Sequence, residues 1–486
     1  MKKLLYINIL VAFVIAFSGC QKLLDIKPVN SMMPVSVKDY ESILIGGYPR
    51  TDYYFNTELM TDNAYANLNS GNAPAKAHEP WFVWASSMLA DGVKTDAYWG
   101  ALYKSVFYAN TVLDNFATRT PLPEEKELYE KVKGEAYALR AYSYFYLVNW
   151  YADVYATANL QLPGVPMPLT AVDVNVNTTN NVRQPIGVVW KQIVSDLNEA
   201  SVLLAGKSAT SRFRFSANTV ALFKARVSLF MGDYQAAIES ATAVMDASPL
   251  TDLNGIQAYI DSKNSPSQAF TYDFGFIDTD YNKEILFFTG GKANNNLFYY
   301  NAAAFKPTEE LLNLTKRYGH LTDYRQYIFE SWGIPNTIDG ITKGLTMYCM
   351  YATQSRDSYY IGMKASEAFV TRAEAYARTN QGALAIADLN MILQKRIKTA
   401  NYVPLKMADF ADNDAILKRV LEERRVETAF DAGLRWLDLR RLGKPEIQHS
   451  YKNGVIYTLK KNDPRYLLQI PPSEINNSPD MPVNPR

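Results

Sequence analysis

Residues 217–249 read ANTVALFKARVSLFMGDYQAAIESATAVMDASP, and this stretch decides the fold class. Apolar residues recur at helical spacing on both sides of the Gly-Asp pair at 232–233, which is typical of a tight turn. Ala225 and Ala237 are small, so two antiparallel helices can approach each other closely there. Pro249 ends the second helix, because proline cannot continue a helical hydrogen-bond pattern. The stretch therefore predicts a helix, a turn and a second helix.

The same pattern recurs at residues 366–396, where Ala373 and Ala385 keep the twelve-residue separation of the first alanine pair. A helix, a turn and a helix over about 34 residues are typical of a tetratricopeptide unit. Apolar residues at helical spacing also run through 124–151 and 186–204. These segments predict a mainly α fold, a tetratricopeptide-like scaffold of helix pairs that winds into an α-α superhelix.

Two long stretches without helical periodicity interrupt these pairs. Residues 50–95 are rich in Asn, Thr, Gly and aromatic residues, and we expect a long loop region there. Residues 250–306 hold alternating aromatic residues at 270–276 and an apolar run at 284–288, which predict short strands. Since long loops in compact domains usually carry function, we expect loop-rich insertions with a few short β-hairpins to decorate the scaffold.

Two polar signals predict shorter helices outside the pairs. Ser36 followed three residues later by Asp39 has the form of a capping box, and we expect this helix to end near Gly46. Thr308 followed by two glutamates predicts a second helix start, because acidic side chains stabilise the positive end of a helix.

The N-terminus predicts export and a lipid anchor. Two lysines precede the apolar stretch 4–17, which is too short for a membrane-spanning helix and is typical of a secretory signal. The stretch ends in FSGC, and small residues before Cys20 resemble the bacterial lipobox, whose cysteine carries lipid. We expect a lipoprotein signal peptide at 1–19, and a lipidated Cys20 with a polar tether at 20–35.

The second cysteine, Cys349, would then be the single thiol of the mature chain, so we expect no disulfide framework. No other stretch approaches 18 consecutive apolar residues. The mature protein is therefore expected to be anchored to a membrane through lipid and not to span it.

Composition and motifs argue against several functional classes. The formal net charge is +1, whereas nucleic-acid-binding proteins usually carry a basic face. His78, His320 and His449 lie far apart in sequence, which argues against a multi-histidine metal site. No Gly-rich phosphate loop, His-Glu-x-x-His or Gly-x-Ser-x-Gly motif occurs. We therefore predict no nucleic-acid partner, no metal, no cofactor and no catalytic residue.

The C-terminal third carries the most recognisable residues. Residues 421–427 read LEERRVE, residues 433–441 read GLRWLDLRR, and residues 466–475 read YLLQIPPSEI. Together with the lipobox cysteine, these motifs resemble those of the SusD/RagB family. The resemblance implies a single domain at 36–486, with an N-terminal part at about 36–250 and a C-terminal part at about 251–486.

The charged residues of these motifs predict buried ion pairs. Glu423 and Glu427 lie one helical turn apart, and Arg435 and Asp438 are spaced to pair with each other. The aromatic and aliphatic residues between them favour a structural clamp that joins the last helix to the scaffold. A catalytic role is disfavoured for Glu422 and Glu423, because adjacent helical residues point about 100° apart.

The resemblance also implies a function. Such proteins lie at the outer-membrane surface, bind an oligosaccharide and partner a SusC-like TonB-dependent transporter. Aromatic faces would stack on sugar rings, and polar side chains would bond the hydroxyls. The candidate ligand-binding residues are those of the aromatic-rich loop regions: Asn63, Tyr65, Trp81, Trp84, Tyr299, Tyr300, Arg325 and Trp332.

Three alternatives remain open at the level of sequence. The same architecture could bind peptides, because a peptide site would also use aromatic residues. A tetratricopeptide-type scaffold could bind protein partners without a small ligand, although long aromatic insertions argue against it. A glycosidase would need two convergent carboxylates, and no spacing in the chain clearly supplies them.

Overall fold

The structure of the protein is a computed structural model. It describes residues 34–49, 53–66, 78–89, 96–171, 182–263, 276, 278–292, 305–329, 336–338, 341–343 and 359–486. Over these residues the chain is mainly helical, as the sequence predicts. Among the described helices, none combines the length and the apolar character that a membrane-spanning segment requires.

The described helices follow one another along the chain with strands between them. The α-helices are α1 Val37–Gly47, α2 Tyr53–Leu59, α3 Glu79–Phe82, α4 Ala97–Ala117, α5 Lys126–Tyr151, α6 Ile186–Leu204, α7 Ala217–Met231, α8 Tyr234–Ala247, α9 Ile256–Lys263, α10 Glu309–Thr315, α11 Gln326–Phe329, α12 Ser366–Arg378, α13 Gly382–Arg396, α14 Asn413–Glu427, α15 Leu434–Arg441 and α16 Pro472–Asn477. Short 3-10 turns lie at Pro123–Glu125, Thr157–Asn159, Leu253–Gly255, Lys316–Tyr318, Thr399–Asn401, Met407–Asp409 and Pro464–Tyr466.

Both predicted helix pairs are confirmed. Helices α7 and α8 form the first pair and α12 and α13 the second. Gly232 ends α7 with φ at 77°, a left-handed conformation that suits glycine, and the Asp233 side chain accepts from the Ala236 N–H to cap α8. Ala225 and Ala237 are fully buried, as expected for positions where two helices approach closely.

The predicted short helices are confirmed as well. The Ser36 side chain accepts from the Asp39 N–H and the Asp39 side chain accepts from the Ser36 N–H, which completes the capping box of α1. Thr308 accepts from the Leu311 N–H at the start of α10.

Aromatic side chains of α5 form the centre of the main core. Tyr142, Phe145 and Trp150 are fully buried. The Phe145 ring lies edge-on to Trp190 of α6 at 5.7 Å and to Phe223 of α7 at 5.2 Å between ring centroids. Many of the aromatic residues in the helices therefore hold the scaffold together and do not face solvent.

The strands pair two by two, always antiparallel. They are β1 Ala64–Ala66 with β5 Phe305–Pro307, β2 Pro163–Pro166 with β3 Arg183–Pro185, β4 Ile285–Lys292 with β8 Tyr359–Lys364, β6 Asn336–Ile338 with β7 Ile341–Lys343, and β9 Ile447–Tyr451 with β10 Val455–Leu459. The strand predicted at 284–288 corresponds to β4, whereas most of 270–276 lies outside the described residues.

The expectation of a loop over 50–95 is wrong where the structure describes this stretch. It contains α2, β1 and α3, which are too short to produce a periodic pattern in sequence. The pairing of β1 with β5 joins the stretch 50–95 to the end of the stretch 250–306. It brings residues that are about 240 positions apart in sequence side by side in one two-stranded sheet.

Candidate functional site

A cavity of about 1080 Å³ opens where β1, β5 and β9 meet. Its volume lies just above the range of about 300–1,000 Å³ that is typical of small-molecule sites. The polar side chains along its wall include Asp62, Tyr65, Lys306, Glu310, Arg435 and Gln448, and Phe82 and His449 also line it. We take this cavity as the candidate site.

Tyr65 is fixed by the pairing of β1 with β5. Ala64 and Ala66 face the core, so the alternation of side chains along a strand turns Tyr65 outward, where it is 40% exposed. Tyr65 lies opposite Lys306 in the strand register. Partial burial and the nearby Glu309 carboxylate raise the pKa of Tyr65, so its hydroxyl stays protonated and can both donate and accept.

An ion pair supports the wall beneath Tyr65. The Arg435 guanidinium donates from Nε and Nη2 to the two Asp62 carboxylate oxygens at 2.7 and 2.6 Å. Burial opposes ionisation of Asp62, but hydrogen bonds and charge from Arg435, together with the charge of Arg425, hold its pKa below the usual value. The prediction that Arg435 pairs with Asp438 is wrong, because Arg435 of α15 reaches back to the turn before β1.

Arg425 of α14 joins three parts of this wall from behind. Its guanidinium donates to the Asn63 amide oxygen at 2.8 Å, to the Asp62 backbone carbonyl at 2.8 Å and to the Glu310 carboxylate at 2.6 Å. The side chain of Arg425 is only 6% exposed, whereas that of Glu310 is 70% exposed. In the Arg425–Glu310 pair, the accessible group at the cavity is therefore the Glu310 carboxylate.

His449 of β9 forms part of the cavity floor. Its ring stacks between Phe82 and Trp84, with centroids at 4.2 and 4.1 Å. The Nδ1 and Nε2 atoms lie 2.7 Å from the Phe82 carbonyl and 2.9 Å from the Thr61 carbonyl. Burial lowers the pKa of His449, although both hydrogen bonds oppose that change. The stack fixes β9 against the end of α3, and the Thr61 contact joins β9 to the turn before β1.

Two of the tryptophans predicted to contact ligand are core residues instead. Trp84 is fully buried, and its indole N–H donates to the Met60 carbonyl at 3.0 Å. Trp81 is 3% exposed and packs edge-on against Tyr98 at 5.4 Å. Their ring faces are covered by protein, so the structure corrects the prediction that Trp81 and Trp84 stack on a ligand.

Asn63 is also buried, and it acts as an acceptor for Arg425 behind the wall. Its neighbours Asp62 and Ala64 line the cavity, but Asn63 itself does not. The prediction that Asn63 contacts the ligand directly is therefore not supported by the described lining of this cavity.

Arg325 lies in a separate buried ion cluster. It donates to Glu423 at 2.5 Å, to Glu427 at 2.8 Å and to Asp323 at 2.7 Å. Arg325 is 5% exposed, donates to three carboxylates and does not line the candidate cavity, which corrects the prediction that it binds the ligand there. The clamp predicted for Glu423 and Glu427 is confirmed by these pairs.

The remaining predicted residues lie outside the described residues; they are Tyr299, Tyr300, Trp332 and the predicted lipidation site, Cys20. Sequence reasoning missed Gln448 and Ser450, whose exposed side chains alternate with buried neighbours along β9 and line the cavity. The alternation in IQHSY, followed by the Asn-Gly pair at 453–454, is a hairpin signal that could have indicated them. Within the described residues, no group of three His, Cys, Asp or Glu side chains could hold a metal ion.

Comparison with known protein families gives two matches that together cover most of the chain. Residues 22–229 match a family described as starch-binding and associating with the outer membrane, and residues 261–486 match the SusD family. The SusD-like protein P2 of Formosa agariphila is 24% identical, over 98% of this chain and 98% of its own length.

Solved structures of related proteins share the fold. A SusD superfamily protein from Bacteroides thetaiotaomicron superposes with a TM-score of 0.69 and 20% identity, over 93% of this chain and all of the other. A SusD-like carbohydrate binding protein from Bacteroides vulgatus gives 0.66 and 17%, over 92% of this chain and 97% of the other. The predicted helix-pair scaffold is thereby confirmed.

Proposed function

This chain belongs to the SusD/RagB family, and we propose from that premise that it captures an oligosaccharide in the cavity between β1, β5 and β9. Proteins of the family are associated with the outer membrane and bind carbohydrate without catalysis. The observation that carries the proposal is the half-exposed Tyr65 on a wall of polar side chains. An aromatic face covers the C–H face of a sugar ring, and the polar groups bond its hydroxyls.

The ion pair with Arg435 makes Asp62 of the wall a poor catalytic carboxylate for hydrolysis. A glycosidase needs two carboxylates that flank the bond to be cleaved, and one of them must act as an acid or a nucleophile. Both carboxylate oxygens of Asp62 accept from Arg435, which also keeps the pKa of Asp62 low. Asp62 is therefore suited to holding the wall in place and is unsuited to donating a proton.

We further propose that Cys20 carries the lipid that holds the protein at the outer membrane, facing the cell surface. In that position the protein would deliver its oligosaccharide to a SusC-like TonB-dependent transporter. Tyr299, Tyr300 and Trp332 remain proposed ligand contacts on the strength of their sequence context. Family membership and the lipobox-like FSGC motif support this arrangement.

Calorimetric titration of residues 21–486 with a panel of oligosaccharides and short peptides tests the ligand class. We expect saturable binding of an oligosaccharide, and we expect Tyr65→Ala to weaken it roughly two- to tenfold, since one aromatic contact is worth about 0.5–1.5 kcal/mol. Phe213→Ala is the matched control, because Phe213 is also 40% exposed and does not line the cavity.

The outcomes separate the alternatives. Binding of peptides alone would replace the oligosaccharide with a peptide ligand. If the Tyr65→Ala and Phe213→Ala proteins bind the sugar with equal affinity, the oligosaccharide does not bind in this cavity.

A further inference from the structure

The charged groups of the cavity wall differ in what they present to a ligand. The described lining contains three carboxylates, those of Asp62, Glu310 and Glu446, and two cationic side chains, those of Lys306 and Arg435. Glu446 is exposed, and the side chain of Glu310 is 70% exposed. Lys306 is partly exposed, so Glu310 and Glu446 are the most accessible charges of the described lining.

The guanidinium groups beside them are already engaged. Arg435 directs Nε and Nη2 at Asp62, and Arg425 uses all three of its nitrogens on Asn63, on the Asp62 carbonyl and on Glu310. Recognition of a carboxylate or sulfate usually needs the paired N–H donors of an arginine. The paired Nε and Nη2 donors of Arg435 are therefore committed to Asp62, and all three nitrogens of Arg425 are committed to protein acceptors.

The rest of the accessible wall consists of groups that bond hydroxyls. Tyr65, Gln448 and Ser450 are exposed along the cavity, and each can both donate and accept. Carboxylates such as Glu446 accept from sugar hydroxyls but repel a ligand carboxylate. Glu309 adds a further negative charge close to Tyr65.

From this arrangement we infer that the cavity selects uncharged glycans and discriminates against glycans that carry carboxylate or sulfate groups. The inference rests on the proposed function and specifies its ligand class. Its physical basis is charge repulsion across an open, hydrated cavity, which is screened by salt because the Debye length falls from about 30 Å at 0.01 M to about 3 Å at 1 M.

The test uses a ligand pair that differs only in charge. Wild-type protein is first titrated with a panel of neutral and acidic polysaccharide fragments at low salt. A neutral glycan that binds is then oxidised at its primary hydroxyls, which converts them to carboxylates. We expect at least tenfold weaker binding of the oxidised form at about 0.02 M salt, and a much smaller difference at about 0.5 M.

Glu446→Gln identifies the source of the discrimination. Among the described contacts, this carboxylate accepts from Gln448 Nε2 at 2.9 Å and has no ion pair, so its replacement should leave the fold intact. The variant should raise the affinity for the oxidised glycan relative to that for the neutral glycan at least threefold over the wild-type ratio, because the amide accepts from hydroxyls as the carboxylate does but carries no charge. Glu239→Gln is the matched control, because Glu239 of α8 is exposed, accepts from Gln235 Nε2 at 2.8 Å and lies outside the cavity lining.

Each outcome decides the matter. Tight low-salt binding of acidic fragments, or an affinity ratio that neither salt nor Glu446→Gln changes, would overturn the inference and leave the proposed glycan capture standing. Binding of peptides without any glycan, or no binding to either set, would overturn the proposed function, and the inference would fall with it.

Discussion

Two groups of arginine–carboxylate pairs use the same chemistry in different surroundings. In the first group, Arg325 and Arg396 hold Glu423, Glu427 and Glu284, and each of these side chains is at most 6% exposed. In the second, Asp62 and Arg435 form the cavity wall, where the Asp62 side chain is 22% exposed. The first group joins α13, α14 and the start of β4, whereas the second borders an open cavity. Burial, and not residue type, separates a clamp from a candidate site.

The first prediction tests whether the buried ion pairs stabilise the fold more than exposed pairs do, by removing a cation from the buried group. Arg325→Met removes a cationic partner from three buried carboxylates, those of Asp323, Glu423 and Glu427, so we expect a loss of about 3–5 kcal/mol in the free energy of unfolding. Denaturant unfolding of the two proteins measures it. Arg119→Met is the control, because the side chains of the Arg119–Glu125 pair are 25% and 24% exposed and such pairs contribute at most about 1 kcal/mol. Similar losses in the two variants would contradict the distinction.

The second prediction concerns how the stability of the fold depends on pH through Glu374, another buried carboxylate of the scaffold. Burial opposes ionisation of Glu374, but Arg441, Arg424 and Arg378 outweigh it and lower its pKa from 4.5 to about 2. Its ionised form therefore stabilises the fold above about pH 4.5, and this contribution is lost as the pH falls toward 2. We expect Glu374→Gln to cost on the order of 3 kcal/mol at neutral pH.

The same variant should flatten the acid limb of the stability profile. Thermal unfolding between pH 7 and about pH 2 measures this effect, and the difference between wild type and variant should shrink across that range. Glu239→Gln, which changes an exposed carboxylate, should leave the profile unchanged. A constant difference at every pH would show that the charge of Glu374 is not responsible.

The sequence predicted the scaffold well because its signal is local. Helix α6 has the predicted bounds of Ile186 and Leu204, and the alanine spacing located both helix pairs. Helical periodicity and capping residues act within a few turns, so a single stretch of chain contains the information.

The candidate site depends on contacts that no local pattern contains. Asp62 meets Arg435 from a position 373 residues earlier in the chain, and Tyr65 is aligned by pairing with a strand at 305–307. Aromatic clustering outside periodic segments selected Tyr65 together with Trp81 and Trp84. Burial of the last two follows from the stack on His449 and the packing on Tyr98, which sequence spacing does not reveal.

The most direct measurement compares two aspartates that make the same bidentate contact in the two kinds of surroundings. Asp62→Asn changes the pair at the cavity wall, whereas Asp388→Asn changes a pair with Arg372 at 2.8 and 2.6 Å within the helical scaffold. We expect both variants to lose stability by roughly 1–3 kcal/mol, because each leaves an arginine without its charged partner. Only Asp62→Asn should weaken oligosaccharide binding, by roughly tenfold in calorimetric titration, since it frees Arg435 and loosens the wall that holds Tyr65. Unchanged affinity in Asp62→Asn, or an equal loss in Asp388→Asn, would contradict the assignment of this cavity as the binding site.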